Sequence, residues 1–254
     1  MTMANSKLQG SQAAQDKKIK LILTTITTVV IVAIIGSAAA LSINKKNLNK
    51  PSTATKTSTL PAGAFDASSK YAYGIPYGTN KNAPVLELWE DFQCPACHAL
   101  ELSNGANIRQ MAEEGKIYLI YRPVNFLDNN LRNDSSTRAA IAFGAAVDAG
   151  FGPTYHDQLY LHQPTTEGAG WTDAQLISYA QSSGISGAKL EKWKKTFAAR
   201  TYKDWVASSM AQFNKAGHTS TPTVVLDGIP VENTAAADKA KFEAIVSAAA
   251  KTHK

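Results

Sequence analysis

The stretch WEDFQCPACHALE, Trp89 to Glu101, holds the chain's only two cysteines, Cys94 and Cys97, with His98 directly after them. C-x-x-C serves as a redox dithiol, C-x-x-C-H as a c-type haem attachment site, and half of a zinc site also reads C-x-x-C. The flanking sequence bears on the choice. Upstream, VLELWEDF after Pro84 is rich in apolar and aromatic residues and reads as a strand. Downstream, CPACHALELSNGANIRQMAEEG reads as a helix that begins at the cysteines and closes at Gly115. Pro95 fits its first turn, where a missing N–H costs nothing. KIYLIYRPVNF follows as a second strand.

A thiolate at a helix start faces unpaired backbone N–H groups and the positive end of the helix dipole. Both favour S⁻ over SH and make Cys94 nucleophilic near neutrality. Cys97, one turn on, is within reach and is expected to be the more buried of the two. The competing chemistries are poorly served. Haem iron would take His98 and a second ligand from Met111, Met210, His156, His162 or His218, but a helical cytochrome has no use for a strand running into the motif. Zinc wants four ligands, and His98 or His156 would complete the set at no recognisable spacing. An inert disulfide gains little from so short a loop with proline inside it.

Beyond the second strand the chain becomes helical. SSTRAAIAFGAAVDAG has candidate serine caps and an alanine-rich body. TYHDQLYLHQ and TDAQLISYAQSSG read as shorter helices. LEKWKKTFAARTYKDWVASSMAQFNKAG carries Leu190, Trp193, Phe197, Trp205, Met210 and Phe213 at helical spacing, a core stripe. TPTVVLDGIPV then reads as two short strands around an Asp227-Gly228 turn, and AAADKAKFEAIVSAAAK as a last helix. YAYGIPYG, before the first strand, is a candidate edge strand or hairpin weakened by its glycines and proline. The order predicts an α/β fold with a large helical insertion at about 127–217.

EDFQCPAC, the helical insertion and TPTVVLDG together resemble the DsbA-like family of thioredoxin-fold thiol-disulfide oxidoreductases over about residues 70–250. The resemblance implies that Cys94 and Cys97 are the redox pair and that Pro222 is cis and packs beside them. It also implies that Thr221 presents its backbone to an extended substrate chain. One departure matters: the better-known periplasmic members have histidine between the cysteines, where this chain has Ala96. Since the Pro95-Ala96 dipeptide tunes thiolate stabilisation, strong oxidising power does not follow. His98 is either a helper when protonated or a helix-surface residue. Strand alternation puts Glu90 on one face with Leu86, Leu88 and Phe92, as a buried carboxylate relaying a proton to Cys97 or as a solvated acid.

The front of the chain is organised differently. Leu21–Asn44 is 24 residues without a charge, bracketed by lysines. That length suffices to cross a bilayer as a helix, and it exceeds a secretory h-region, so we read it as an uncleaved anchor; a cleaved signal with an A-x-A-like site at Ala38 and Ala40 is the alternative. The expected organisation is a cytoplasmic 1–20, the anchor or signal 21–44, a Ser/Thr/Lys-rich linker 45–69 and the thioredoxin-like domain 70–254. Residues 1–60 carry eight lysines against one aspartate, whereas 61–254 carry 18 basic against 19 acidic residues, so nothing in the body suggests nucleic acid.

These readings converge on an extracytoplasmic, membrane-tethered oxidoreductase, expected to be monomeric, that forms disulfides in reduced secreted proteins. The resemblance implies a quinone-linked membrane reoxidant of the DsbB or VKOR type, and no flavin, haem or metal. A tethered reductase or isomerase, or a C-x-x-C-H monohaem electron carrier, are the alternatives.

Overall fold

A computed structural model describes residues 59–253. The expected anchor at 21–44, the segment 1–20 and the linker up to residue 58 lie outside the described residues. Among the described residues no helix is long and apolar enough to cross a membrane.

Five strands form one mixed sheet in the order β1-β3-β2-β4-β5. Its centre is β2 (Val85–Glu90), which pairs parallel with β3 (Tyr118–Pro123) and antiparallel with β4 (Thr223–Leu226). Parallel neighbours need a long crossover, and the cysteine-bearing helix supplies it. It runs as α1 (Pro95–Leu100), a π turn over Glu101–Gly105, and α2 (Ala106–Glu113). The YAYGIPYG segment yields one three-residue edge strand, β1 (Ile75–Tyr77), antiparallel to β3. β5 (Ile229–Val231) closes the other edge through a turn in which Asp227 and Gly228 both have positive φ, 48° and 81°. Two positive φ values match the twist of a tight hairpin.

The helical insertion comprises α3 (Asp128–Leu131), α4 (Ser135–Ala149), α5 (Gly152–Leu161), α6 (Asp173–Ser182), α7 (Gly187–Ala198) and α8 (Lys203–Lys215). α9 (Asn233–Ala237) and α10 (Lys239–Thr252) end the domain. Leu86, Leu88 and Phe92 join Phe143, Tyr155, Trp193 and Phe242 in the main core. Trp89, on the opposite face, packs with Val124 and Phe213.

Four expectations change. The run LEKWKK…NKAG is two helices, broken where Arg200 takes a left-handed conformation (φ 51°) that no glycine or proline signals. Ser135 and Ser136 are not caps but lie inside α4; the Asp128 carboxylate accepts from the Ser136 and Thr137 N–H groups (2.8 and 3.0 Å) and caps the helix instead. The last helix is likewise two, because Asp238 caps α10 by accepting from Lys241 N–H at 3.1 Å. Residues 59–69, expected in the linker, are packed on the domain: Pro61 is buried, Leu60 lies against the core, and Ala62 N–H donates to Asp148 at 2.8 Å.

Candidate active site

Strand β2 ends and a tight turn follows in which Gln93 N–H donates to the Asp91 carboxylate (2.8 Å) and Cys94 N–H to the Asp91 carbonyl (2.9 Å). The turn delivers Cys94 as the N-cap of α1, in extended conformation, with Pro95 as the first helical residue. Pro95 and Ala96 are exposed; Cys94 is 7% exposed and Cys97 fully enclosed. Both cysteines are free thiols.

From the far end of the sequence the loop before β4 closes over Cys94. The Thr221–Pro222 bond is cis, the isomer that the resemblance implies, and the Cys94 thiol donates to the Thr221 carbonyl at 3.2 Å. The Thr221 hydroxyl is buried and has no hydrogen-bond partner among the described residues. When Cys94 ionises, the Cys97 thiol is the main donor to its sulfur. Burial opposes the charge, but the Thr221 hydroxyl and the Cys97 and Ala96 N–H groups add donors, and the pKa falls to about 6. The helix-start N–H groups thus contribute, though the neighbouring thiol contributes most. Cys97 goes the other way. Burial, then the charges of Cys94 and Glu90, push its thiol well above the usual range.

Glu90 is buried, so the solvated reading of this carboxylate does not hold. Its Oε2 lies 2.9 Å from His156 Nε2 on α5. His98 sits half-buried on α1 and makes no side-chain hydrogen bond to either cysteine among the described residues.

Several residues at the site are not singled out by sequence reasoning. Asp91 is fully buried and accepts from Ser136 Oγ (2.6 Å), Gln93 N–H (2.8 Å) and Leu127 N–H (2.9 Å); burial nonetheless raises its pKa to about 7 against those donors. Gln93 Nε2 reaches Ser136, Asn133 and Asp128 of the insertion at 2.7–3.1 Å. Gln163 Nε2 spans the carbonyls of Phe92 (2.7 Å) and Cys94 (3.0 Å). Glu101, four residues after Cys97, carried one available signal: that spacing puts it a helical turn further along the same face. Glu90, Glu101 and His156 each bring a ligand-capable atom within 4.8 Å of the others. The imidazole turns one nitrogen to Glu90, at hydrogen-bond distance, and the other towards Glu101 at 3.9 Å.

The thioredoxin family model matches residues 71–247. This chain belongs to the thioredoxin family. Solved structures with this fold include the thiol-disulfide oxidoreductase MdbA from Actinomyces oris, at 20% identity and TM-score 0.60 over 69% of this chain and 88% of that one. BdbD from Bacillus subtilis matches at 20% identity and TM-score 0.59, over 70% and 94% of the two chains. MdbA from Corynebacterium diphtheriae matches at 24% identity and TM-score 0.58, over 77% and 96%. No curated protein sequence matches. These structural neighbours are DsbA- and MdbA-like thiol-disulfide oxidoreductases, and the Cys94–Cys97 pair of this chain fits their C-x-x-C motif.

Proposed function

We propose that this protein is an extracytoplasmic thiol-disulfide oxidoreductase that introduces disulfides into secreted proteins. The observation that carries the reading is the asymmetry of the pair: Cys94 caps the helix start against the cis-proline loop, with its pKa lowered to about 6, and Cys97 is sealed beneath it with its pKa raised. A substrate thiolate attacks Cys94 Sγ of the oxidised enzyme. The Cys94–Cys97 bond breaks, its electron pair leaves on Cys97, and Cys97 takes up a proton. A second substrate thiolate then attacks the substrate sulfur of the mixed disulfide and releases Cys94 as a thiolate. Stabilising that thiolate favours the reduced enzyme, which makes the disulfide form an oxidant. Thr221 borders the sulfur, and a cleft of about 250 Å³ runs beside it along Pro222, Thr223, Val231 and Asn233, suited to an extended chain.

The enclosure of Cys97 weighs against a haem tether, which needs both sulfurs turned out to one porphyrin. Reoxidation falls to a quinone-linked membrane partner of the DsbB or VKOR type, and the uncharged run at 21–44 tethers the domain outside the membrane. An oxidising compartment is required, since a cytosolic glutathione pool keeps such a pair reduced.

The test is reactivity by position. Cys94 should react with iodoacetamide with a midpoint near pH 6, and Cys97 should stay unmodified in the folded protein. Cys94→Ser should abolish exchange, while Cys97→Ser should accumulate mixed disulfides with secreted proteins. Equal alkylation of the two thiols would overturn the assignment.

A further inference from the structure

Every cycle takes a proton from Cys97 and returns one, yet that thiol is fully enclosed. Beneath it lies a line of ionisable groups. Glu90, Glu101 and His156 have side chains only 4%, 7% and 2% exposed. His156 bridges them: Nε2 is 2.9 Å from Glu90 Oε2, while Nδ1 lies 3.9 Å from Glu101 Oε2 and 4.0 Å from Asp157 Oδ1. Asp157 is one-third exposed, pairs with Arg109 of α2, and opens on a cleft of about 210 Å³ that Glu101 and Tyr160 also line. The line therefore runs from Glu90, whose charge acts on the sealed thiol, to solvent.

Two atoms along it, Glu90 Oε1 and His156 Nδ1, are buried without a hydrogen-bond partner among the described residues. The remaining walls are aromatic. Rings of Tyr121, Tyr160, Phe92 and Phe143 stand 4.7–5.9 Å from the imidazole, a setting that favours a cation.

We propose that His156 and Glu101 carry the Cys97 proton between Glu90 and the cleft at Asp157 and Arg109. On ring closure, the Cys97 thiol gives its proton to Glu90, and the Cys97 thiolate attacks Cys94 Sγ of a mixed disulfide. The bond from Cys94 to the partner sulfur breaks, and the partner leaves as a thiolate with the electron pair. With Glu90 neutralised, the imidazolium loses one of the two carboxylates that hold its charge and gives Nδ1–H to Glu101 or Asp157, so one proton leaves for the cleft for each one taken from Cys97. Those two gaps are about 1 Å longer than a hydrogen bond, a distance that rotation of either carboxylate closes. Reduction of the disulfide runs the same path inward.

The ionisations suit the task. Burial, with Glu90 next to it, raises Glu101 to about 8, so it both holds and releases a proton near neutrality. Burial disfavours charge on His156, but the Glu101 and Glu90 carboxylates outweigh it and raise its pKa to about 10. The two phenols stay protonated, since burial raises both well above their usual range.

The proposal rests on the dithiol reading above, and its test keeps the two apart. Reduced full-length protein is mixed with glutathione disulfide, acid-quenched, and the mixed disulfide and closed ring are counted by mass spectrometry from pH 5.5 to 9. Wild type should close its ring with an inflection near pH 8. Glu101→Gln should slow closure about tenfold or more at pH 7 and remove the inflection, with alkylation of Cys94 nearly unchanged. Asp157→Asn, at the rim, should slow closure with the buried groups intact, and concentrated imidazole buffer should restore the rate; this variant decides the matter if Glu101→Gln does not fold. Closure rates and inflections unchanged in the folded variants, or a stoichiometric metal ion on the purified protein that is lost in Glu101→Gln, would overturn the path. Failure of wild type to form the mixed disulfide would instead overturn the oxidoreductase reading.

Discussion

The Thr221 carbonyl accepts the Cys94 thiol at 3.2 Å across 127 residues of sequence, and the hydroxyl of the same residue donates to the thiolate when the proton leaves. One residue thus serves both protonation states. Thr221→Val keeps the shape and the carbonyl but deletes the hydroxyl. Alkylation of Cys94 at pH 6 should slow by about two- to fivefold, because the thiolate has lost a donor. Global stability should hardly change, since in the thiol state the hydroxyl has no partner among the described residues. An unaltered alkylation midpoint would show that the hydroxyl does not reach the sulfur.

Ser136 supplies one of three donors to buried Asp91. Ser136→Ala should cost about 1–3 kcal/mol, and the cost should depend on pH. The Asp91 pKa is raised to about 7, far above its unfolded value near 3.9. The proton it holds stabilises the fold below about pH 4, and that contribution is lost as pH rises through 7. The ionised carboxylate needs the hydroxyl more than the neutral one does. Urea titrations should therefore give a larger penalty for Ser136→Ala at pH 8 than at pH 5; equal penalties would mean that Asp91 does not change charge in this range.

The cysteine pair makes stability depend on redox state. Cys94 in the dithiol form is depressed to about 6 from an unfolded value near 8.5. Its contribution is absent well below pH 6 and grows as pH rises towards 8. The disulfide form has no such group. Melting the two forms at pH 5 and pH 8 should therefore show the reduced protein gaining on the oxidised one at the higher pH. A constant difference between the two melting temperatures would contradict an ionised Cys94.

The site was legible where its chemistry is local. Cys94, Pro95 and Cys97 form one turn of helix after a strand, and Thr221-Pro222 precedes another, so strand and helix patterns located them. Ser135 and Ser136 misled because an Asp seven or eight residues upstream took the capping role, a contact that spacing does not reveal. Arg200 breaks a helix with no breaker in the sequence; its N–H donates to the Phe197 carbonyl and that of Thr201 to the Thr196 carbonyl, which closes the helix end. Glu90 was placed on the correct face, but its burial depends on His156 from the insertion, 66 residues away. Long-range polar contacts of this kind leave no periodic trace.

Gln163 is the plainest such case, a residue just past the end of α5 with no motif around it. Its amide donates to the carbonyls of Phe92 and Cys94 and so ties the insertion to the redox turn. Those two carbonyls flank the sulfur that must face both substrate and Thr221. Gln163→Leu fills the same space and leaves both acceptors without this partner. We expect a loss of about 1–3 kcal/mol and, more tellingly, slower exchange with thiol substrates at unchanged Cys94 pKa, because the turn loses a positional restraint. Gln163→Glu should be worse than leucine, since a carboxylate would point at two carbonyl oxygens. Stopped-flow exchange with a reduced peptide, read beside the alkylation midpoint, separates position from ionisation. Wild-type exchange rates in both variants would show that the turn holds its place without the insertion.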